Sequence, residues 1–226
     1  MNLLSVSNDA KTVKGEKKGY LTGILYLAPT SVLCPASSKG CRRACLFSAG
    51  RGRFNSTILA RKRKTQMFLK SRDKFIALLE HDISMLIAKS KKRGMIPCVR
   101  INGTSDIDVQ DVFAGTLKKF KDIQFYDYTK VWSRSVKFPN YHLTYSRSED
   151  TSWESIADKL DKGCNVAIVF KGDVEYLKYM TIGGRDYPVS LGDDTDLRFL
   201  DEPGHIIALT AKGKAKDDKT GFVVEV

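Results

Sequence analysis

No stretch of the sequence is apolar for the roughly 18 residues that a membrane-spanning helix needs. The first nineteen residues contain no apolar run ahead of a small-residue cleavage site, so they do not read as a signal peptide. Histidine is scarce: His81, His142 and His205 are the only three, no two stand at metal-ligating spacing, and the His-x-His element of replication nucleases is missing. Neither GxGxxG nor GxxxxGK[ST] occurs, so the two common phosphate-cradling loops are excluded. Internal repeats and low-complexity linkers are also absent. Acidic residues nearly vanish between Lys39 and Lys74, where twelve Lys or Arg stand against Asp73 alone.

What remains is a chain of 226 residues with a net charge of +12, 42% hydrophobic and 28% charged. That is an ordinary globular balance, and a chain of this size buries about 70% of its unfolded surface without needing disulfides. The basic block predicts attraction to a polyanion, and nucleic acid, DNA first, is the commonest one in a cytoplasm. Its candidate contacts are Arg42, Arg43, Arg51, Arg53, Arg61, Lys62, Arg63 and Lys64. The bland alternative is a solvated helix face. The expectation is a cytoplasmic protein with no membrane partner; oligomeric state leaves no mark in the sequence.

Residues 1–19 read as loosely ordered. The segment from Tyr20 to Leu27 is a strand ended by Pro29. Asn55 or Ser56 starts a helix over the basic run, and Ser71 caps a second one, in which Phe75, Leu79, Ile83, Leu86 and Ile87 recur at helical spacing until Gly94. Strands follow at Pro97–Ile101, Ile123–Tyr126, Tyr141–Tyr145, Asn165–Phe170 and His205–Leu209, with a helix over Trp153–Leu160. A hairpin turn at Ile182–Arg185 leads to Tyr187–Ser190. Strands that are apolar on both faces and alternate with helices predict a mainly parallel sheet. The expected fold is α/β, one domain over residues 20–226. It is a small or incomplete (β/α) barrel with a Cys-rich loop at 30–54, or else an open doubly wound sheet.

Three of the five cysteines, Cys34, Cys41 and Cys45, fall within twelve residues, in a polar loop with Pro35 and Gly40. Thiolates so spaced can converge on one ion. Zinc would need a fourth ligand, whereas an iron–sulfur cluster can be held by three thiolates with one iron left open. Arg42 and Arg43 favour the thiolate forms. Three thiols packed as small hydrophobes are the plain alternative, and that is the simpler reading of Cys98 and Cys164.

Polar groups also recur just after the strands. In parallel barrels those carboxyl ends form the active face. Asp106, Asp108, Asp193 and Asp196 are the candidate catalytic groups, and Arg100, Asn102, Ser105, Tyr128, Lys130 and Arg147 the candidate substrate contacts. Polar loop residues are common in any fold, so recurrence at several strand ends is what gives the pattern weight. Trp132, Tyr128 and Trp153 can stack on exposed bases or fill the core.

The segments LCPASSKGCRRACLFSAGRGRF, VRINGTSDI, FYDYTKV, HLTYSRSED and GDDTDLRFLD, in order from Tyr20 to Phe222, resemble the gene-product-88 type of phage and plasmid proteins. The resemblance implies a mobile-element, DNA-associated setting. A weaker likeness is to radical S-adenosylmethionine enzymes, α/β barrels with three cysteines after the first strand, although the cysteine spacing here is wider. The expected function is a base-modifying enzyme on nucleic acid, with a three-cysteine iron–sulfur cluster (with or without S-adenosylmethionine) or zinc. Asp106 or Asp193 would then be nucleophile or general base, as a carboxylate is in guanine transglycosylases. The alternative is a non-enzymatic, metal-stabilised DNA- or RNA-binding module serving replication or regulation. A small-molecule enzyme with an incidental basic surface is a third.

Overall fold

The computed structural model describes residues 1–7 and 10–226, without the side chains of Ala10, Lys11, Ser48 and Arg51. Its centre is a ten-stranded sheet. Strands β2 (Tyr20–Leu25), β3 (Ile96–Arg100), β4 (Gln124–Thr129), β5 (Tyr141–Ser146), β6 (Val166–Lys171) and β9 (Ile206–Thr210) lie side by side, all parallel. β8 (Arg185–Leu191) continues the sheet parallel to β9, and β7 (Tyr179–Ile182) closes that end as an antiparallel hairpin partner. β1 (Leu4–Val6) runs antiparallel on the other edge, against β2.

The predominantly parallel sheet predicted from the apolar strand runs is present, but the barrel is not. β1 and β7 are the two ends of an open sheet. The residues that would have had to pair across the gap are instead spent on antiparallel edge strands. The last strand, β10 (Val223–Glu225), shows how the chain fills a vacancy. β5 pairs β6 only at Val166 and Ala167, leaving the rest of that edge bare, and β10 pairs Val169, Phe170 and Lys171 there.

One sheet face is covered by helices. α3 (Asn55–Lys70) leads into α4 (Arg72–Lys92), whose Phe75, Leu79, Ile83 and Leu86 are buried in the core. Each such side chain contributes about 1.5–3 kcal/mol. Leu86 and Leu4 press so near Gly23 of β2 that a Cβ there would stand 3.0 and 3.1 Å from them. α5 (Val109–Val112), α6 (Ala114–Lys119) and α7 (Trp153–Asp161) complete the layer, with Leu117, Ile156 and Leu160 turned inward.

The other face is covered by α1 (Ala10–Glu16) and by the 192–204 segment between β8 and β9. Phe199 from that segment meets the rings of Tyr20 and Tyr126 edge-on, and Leu197 lies beside Gly15 of α1.

The expectation of a loosely ordered first nineteen residues is corrected by β1 and α1. Asp82 accepts from the backbone N–H groups of Leu3 and Leu4 at 2.5 and 3.0 Å, and Lys64 Nζ donates to the Leu3 carbonyl at 2.7 Å. These ties join the N-terminus to α3 and α4. Among the described residues, no helix is long and apolar enough to cross a membrane.

Candidate functional site

The loop that leaves β2 carries the three clustered cysteines across the carboxyl ends of the neighbouring strands. Beyond β3, the Asp106 N–H donates to the Leu33 carbonyl at 2.7 Å. Ser38 then caps α2 (Lys39–Arg43), accepting from Cys41 N at 3.1 Å. Just past β5, Glu149 accepts from Ser38 Oγ at 2.6 Å and from Gly40 N at 2.5 Å. Position 40 has no room for a side chain: a Cβ would stand 2.3 Å from Thr220 Oγ1 and 2.5 Å from Phe222 Cβ. The loop therefore starts behind β2 and is fastened at β3, at β5 and just before β10.

Six ionisable groups share this neighbourhood. Burial, with the nearby charges of Asp106, Cys45 and Cys41, pushes the Cys34 thiol up to about 11. Burial also raises Cys41, against the pull of Lys130. The Lys130 ammonium is lowered by burial, though Cys41, Asp106, Glu149 and Cys45 all favour its charge. Its Nζ donates to Ser146 Oγ at 2.5 Å and lies over the Phe222 ring at 5.2 Å. Burial works against the charge of Glu149, yet the donors Ser38 and Gly40 hold its carboxyl below the usual range. At Cys45, the Phe47 N–H is directed at Sγ, 3.5 Å away.

None of the five cysteines is joined in a disulfide among the described residues. Among the described residues, no group of three or more His, Cys, Asp or Glu side chains is arranged to hold a metal ion. Cys98 is buried in the sheet against Thr22 Oγ1 at 3.2 Å, its thiol pushed up to about 12, mainly by burial. It has the structural place that a cysteine in an apolar strand predicts.

The four candidate catalytic aspartates do not meet at one point. Asp106 is held by Arg134 Nη1, by Thr129 Oγ1 at 2.9 Å and by Lys130 N at 2.8 Å. Asp108 caps α5, accepting from Gln110 N at 3.2 Å and Asp111 N at 3.3 Å. Asp193 lies at the end of β9, accepting from Thr210 N at 2.8 Å and Lys212 Nζ at 2.6 Å. Asp196 is a buried residue of the 192–204 segment, and both its oxygens accept from Arg100 Nη1 at 2.8–2.9 Å while Tyr126 OH approaches at 3.3 Å.

The candidate substrate contacts divide in the same way. Arg100 lies against the Tyr128 ring at 4.6 Å, beneath the same segment. Asn102 and Ser105 build a turn, in which Asn102 Oδ1 accepts from Ser105 Oγ at 2.8 Å and Ile107 N at 2.9 Å. Arg147 donates to the carbonyls of Gly221 and Phe222 and stacks on Trp153 at 4.9 Å. Lys130 is the one of the six that lies among the cysteines.

Of the basic block, Arg42, Arg43, Arg53, Lys62 and Arg63 are exposed. Arg61 packs over Tyr26 and Phe47, and Lys64 is buried on the Leu3 carbonyl; both brace the fold. The side chain of Arg51 lies outside the described residues.

Two clefts flank the cysteine loop. One, of about 440 Å³, is lined by Pro35, Ala36, Asp108, Arg134, Ser135 and Lys137, among others. The second, of about 470 Å³, lies between Ala49, Gly50 and Arg53 and the segment Gly213, Lys214 and Asp217.

Sequence reasoning passed over Arg134, which sits in a polar stretch with no motif, and saw Asp127 after the Ile123–Tyr126 strand without making it a candidate. Asp127 is fully buried, accepts from Asn102 N at 2.6 Å and Tyr141 OH at 3.3 Å, and has its carboxyl pushed up by burial to about 7. An acid inside an apolar strand was the available signal.

No curated protein and no solved structure matches the chain. A sequence profile described as Gene product 88 matches residues 2–226. Nearly the whole chain, cysteine loop and strand ends included, falls inside that match, and the protein belongs to the gene product 88 family.

Proposed function

We propose that this protein is an enzyme acting on nucleic acid at a metal centre held by Cys34, Cys41 and Cys45. The observation that carries the proposal is the crossing of the cysteine loop over the carboxyl ends of β2 to β5, which brings Cys34, Cys41 and Cys45 within electrostatic reach of one another and of Lys130 and Asp106. The carboxyl ends of parallel strands are where α/β sheets generally build their sites.

The donor set suits an iron–sulfur cluster better than a closed zinc site. Both nearby carboxylates are already committed, Asp106 to Arg134, Thr129 and Lys130, and Glu149 to Ser38 and Gly40. Three thiols without a fourth carboxylate ligand is the arrangement in which one iron of a cluster stays open. A bound cluster would supply electron transfer and a coordination position for a small molecule. The Phe47 N–H aimed at Cys45 Sγ is a hydrogen bond of the type that tunes a metal-bound thiolate. Lys130 offsets thiolate charge from within the site, so three anionic sulfurs are less costly to assemble. The cleft at Pro35 and Ala36 gives a substrate a way to the loop's start, with Asp108, Ser135 and Lys137 as polar contacts. Outside it, the exposed Arg42, Arg43, Arg53, Lys62 and Arg63 would hold phosphates while a base is turned inward.

A second reading, the metal-stabilised binding module, is favoured by one observation. The carboxylates expected to act as nucleophiles, Asp106 and Asp193, each hold several donors in the resting fold. The two readings separate in cells expressing either the parent chain or Cys41→Ser. DNA and RNA from both are digested to nucleosides and analysed by mass spectrometry. A modified nucleoside present only with the parent supports the enzyme. Identical profiles, with nucleic-acid affinity intact, leave the binding module.

A further inference from the structure

The sequence placed its basic block before residue 75, but the cleft at the far side of the cysteine loop has a second wall from the C-terminal region. Residues 211–219 read Ala-Lys-Gly-Lys-Ala-Lys-Asp-Asp-Lys. Ala211 and Ala215 are buried, while Lys212, Lys214, Lys216 and Lys219 are exposed. The two small side chains root the segment and aim its lysines outward.

The segment is fixed at both ends. Ala211 N donates to the Phe170 carbonyl at 2.8 Å, and Asp218 accepts from Thr220 Oγ1 at 2.8 Å and Val223 N at 3.1 Å. It also touches the cysteine loop, since a Cβ on Gly213 would stand 3.5 Å from Ala49 Cβ. The cleft of about 470 Å³ opens between them, with Arg53 on one wall and Lys214 on the other. Lys212 is spent on Asp193, and Asp217 is the one acid lining the cleft. Arg53, Lys214 and Lys216 form no ion pair among the described residues.

We infer that this cleft is a phosphodiester-binding groove, in which Arg53 from the cysteine loop and Lys214 from the C-terminal turn hold a nucleic-acid strand across the cleft, with Lys216, exposed on the same turn, taking a neighbouring phosphate. The inference rests on the proposed action on nucleic acid and adds a second strand-holding wall to it. Paired cationic walls on rooted backbone bind a charged strand with less ordering cost than lysines on a free tail. The strand would pass from this groove over the cysteine loop toward the cleft at Pro35.

The test uses the full chain and a labelled single-stranded oligonucleotide of about 20 residues, with affinity measured from about 50 to 200 mM salt. The variants are Lys214→Glu/Lys216→Glu and the milder Lys214→Gln/Lys216→Gln. Lys91→Glu/Lys92→Glu, at the opposite rim where α4 ends, is the charge-matched control. Each lost phosphate contact lowers the slope of log affinity against log salt by about 0.7 for a single strand, so both groove variants are expected to lose about 1.4. The control should keep the parent slope. Groove variants with the parent's slope and affinity, or a control that falls equally, would overturn the groove while the wider reading stands. A parent chain that binds no oligonucleotide at all would overturn both.

Discussion

Asp127 and His142 lie on neighbouring strands and pull the pH dependence of stability in opposite directions. Burial raises the Asp127 carboxyl from 3.8 to about 7, so the folded chain holds that proton more tightly than the unfolded chain does. Its contribution is therefore best at low pH and is lost as pH rises from about 4 to about 7. Burial, with the Arg198 charge, lowers His142 from 6.5 to about 4. Its contribution is full above 6.5 and is lost as pH falls toward 4. Asp127→Asn keeps an acceptor for the Asn102 N–H but removes the proton uptake. Relative to the parent, the variant should gain stability with rising pH across this window, by at most about 1.4 kcal/mol per pH unit. Urea unfolding at several pH values reads the difference directly. Parallel curves for the two proteins would show that the carboxyl titrates normally.

At the scale of elements, the fastening of α2 decides whether the cysteine loop is a site or a strap. Gly40 is where α2 meets Glu149, Thr220 and Phe222. Gly40→Ala is expected to cost about 1–3 kcal/mol, as overpacking generally does, and to raise amide exchange from Ser38 to Phe47 while the central strands keep their protection. Unchanged exchange in that loop would mean that the close contact is not what seats it.

The long elements were legible in the sequence because each has a continuous signal. The apolar runs of β3 to β6 and the repeating Phe75, Leu79, Ile83 and Leu86 of α4 could be read without a structure. Three-residue strands such as β1 and β10, and the short helices α5 and α6, have no room for a period. The choice between a barrel and an open sheet could not be made from the sequence, since closure depends on which edge the last strands take, and β10 takes the vacancy beside β6. In the site, clustering of the three cysteines was visible as spacing. The capture of Glu149 by Ser38 and Gly40 spans more than a hundred residues, and the pairing of Asp196 with Arg100 spans 96. Each depends on the folded topology, which no local pattern encodes. That pairing is why an acid that looked catalytic lies buried in a core ion pair.

For the whole molecule, a net charge of +12 is carried at the surface, because the buried acids and bases balance. Asp106, Asp127 and Asp196 are inside the fold together with Lys64, Arg147 and Arg198, so the excess of positive charge lies on the outward surface. That is the electrostatic setting in which three neighbouring thiols, costly as bare anions, would be stabilised by a metal and approached by a polyanion. In the proposed enzyme, Cys34, Cys41 and Cys45 hold a metal together. The measurement that reaches it most directly is the content of iron, sulfide and zinc per chain after purification without oxygen, for the parent and for Cys34→Ser and Cys45→Ser. The expected result is iron and sulfide in the parent and their loss from both variants. A parent without metal, or variants that hold as much as the parent, would contradict the claim.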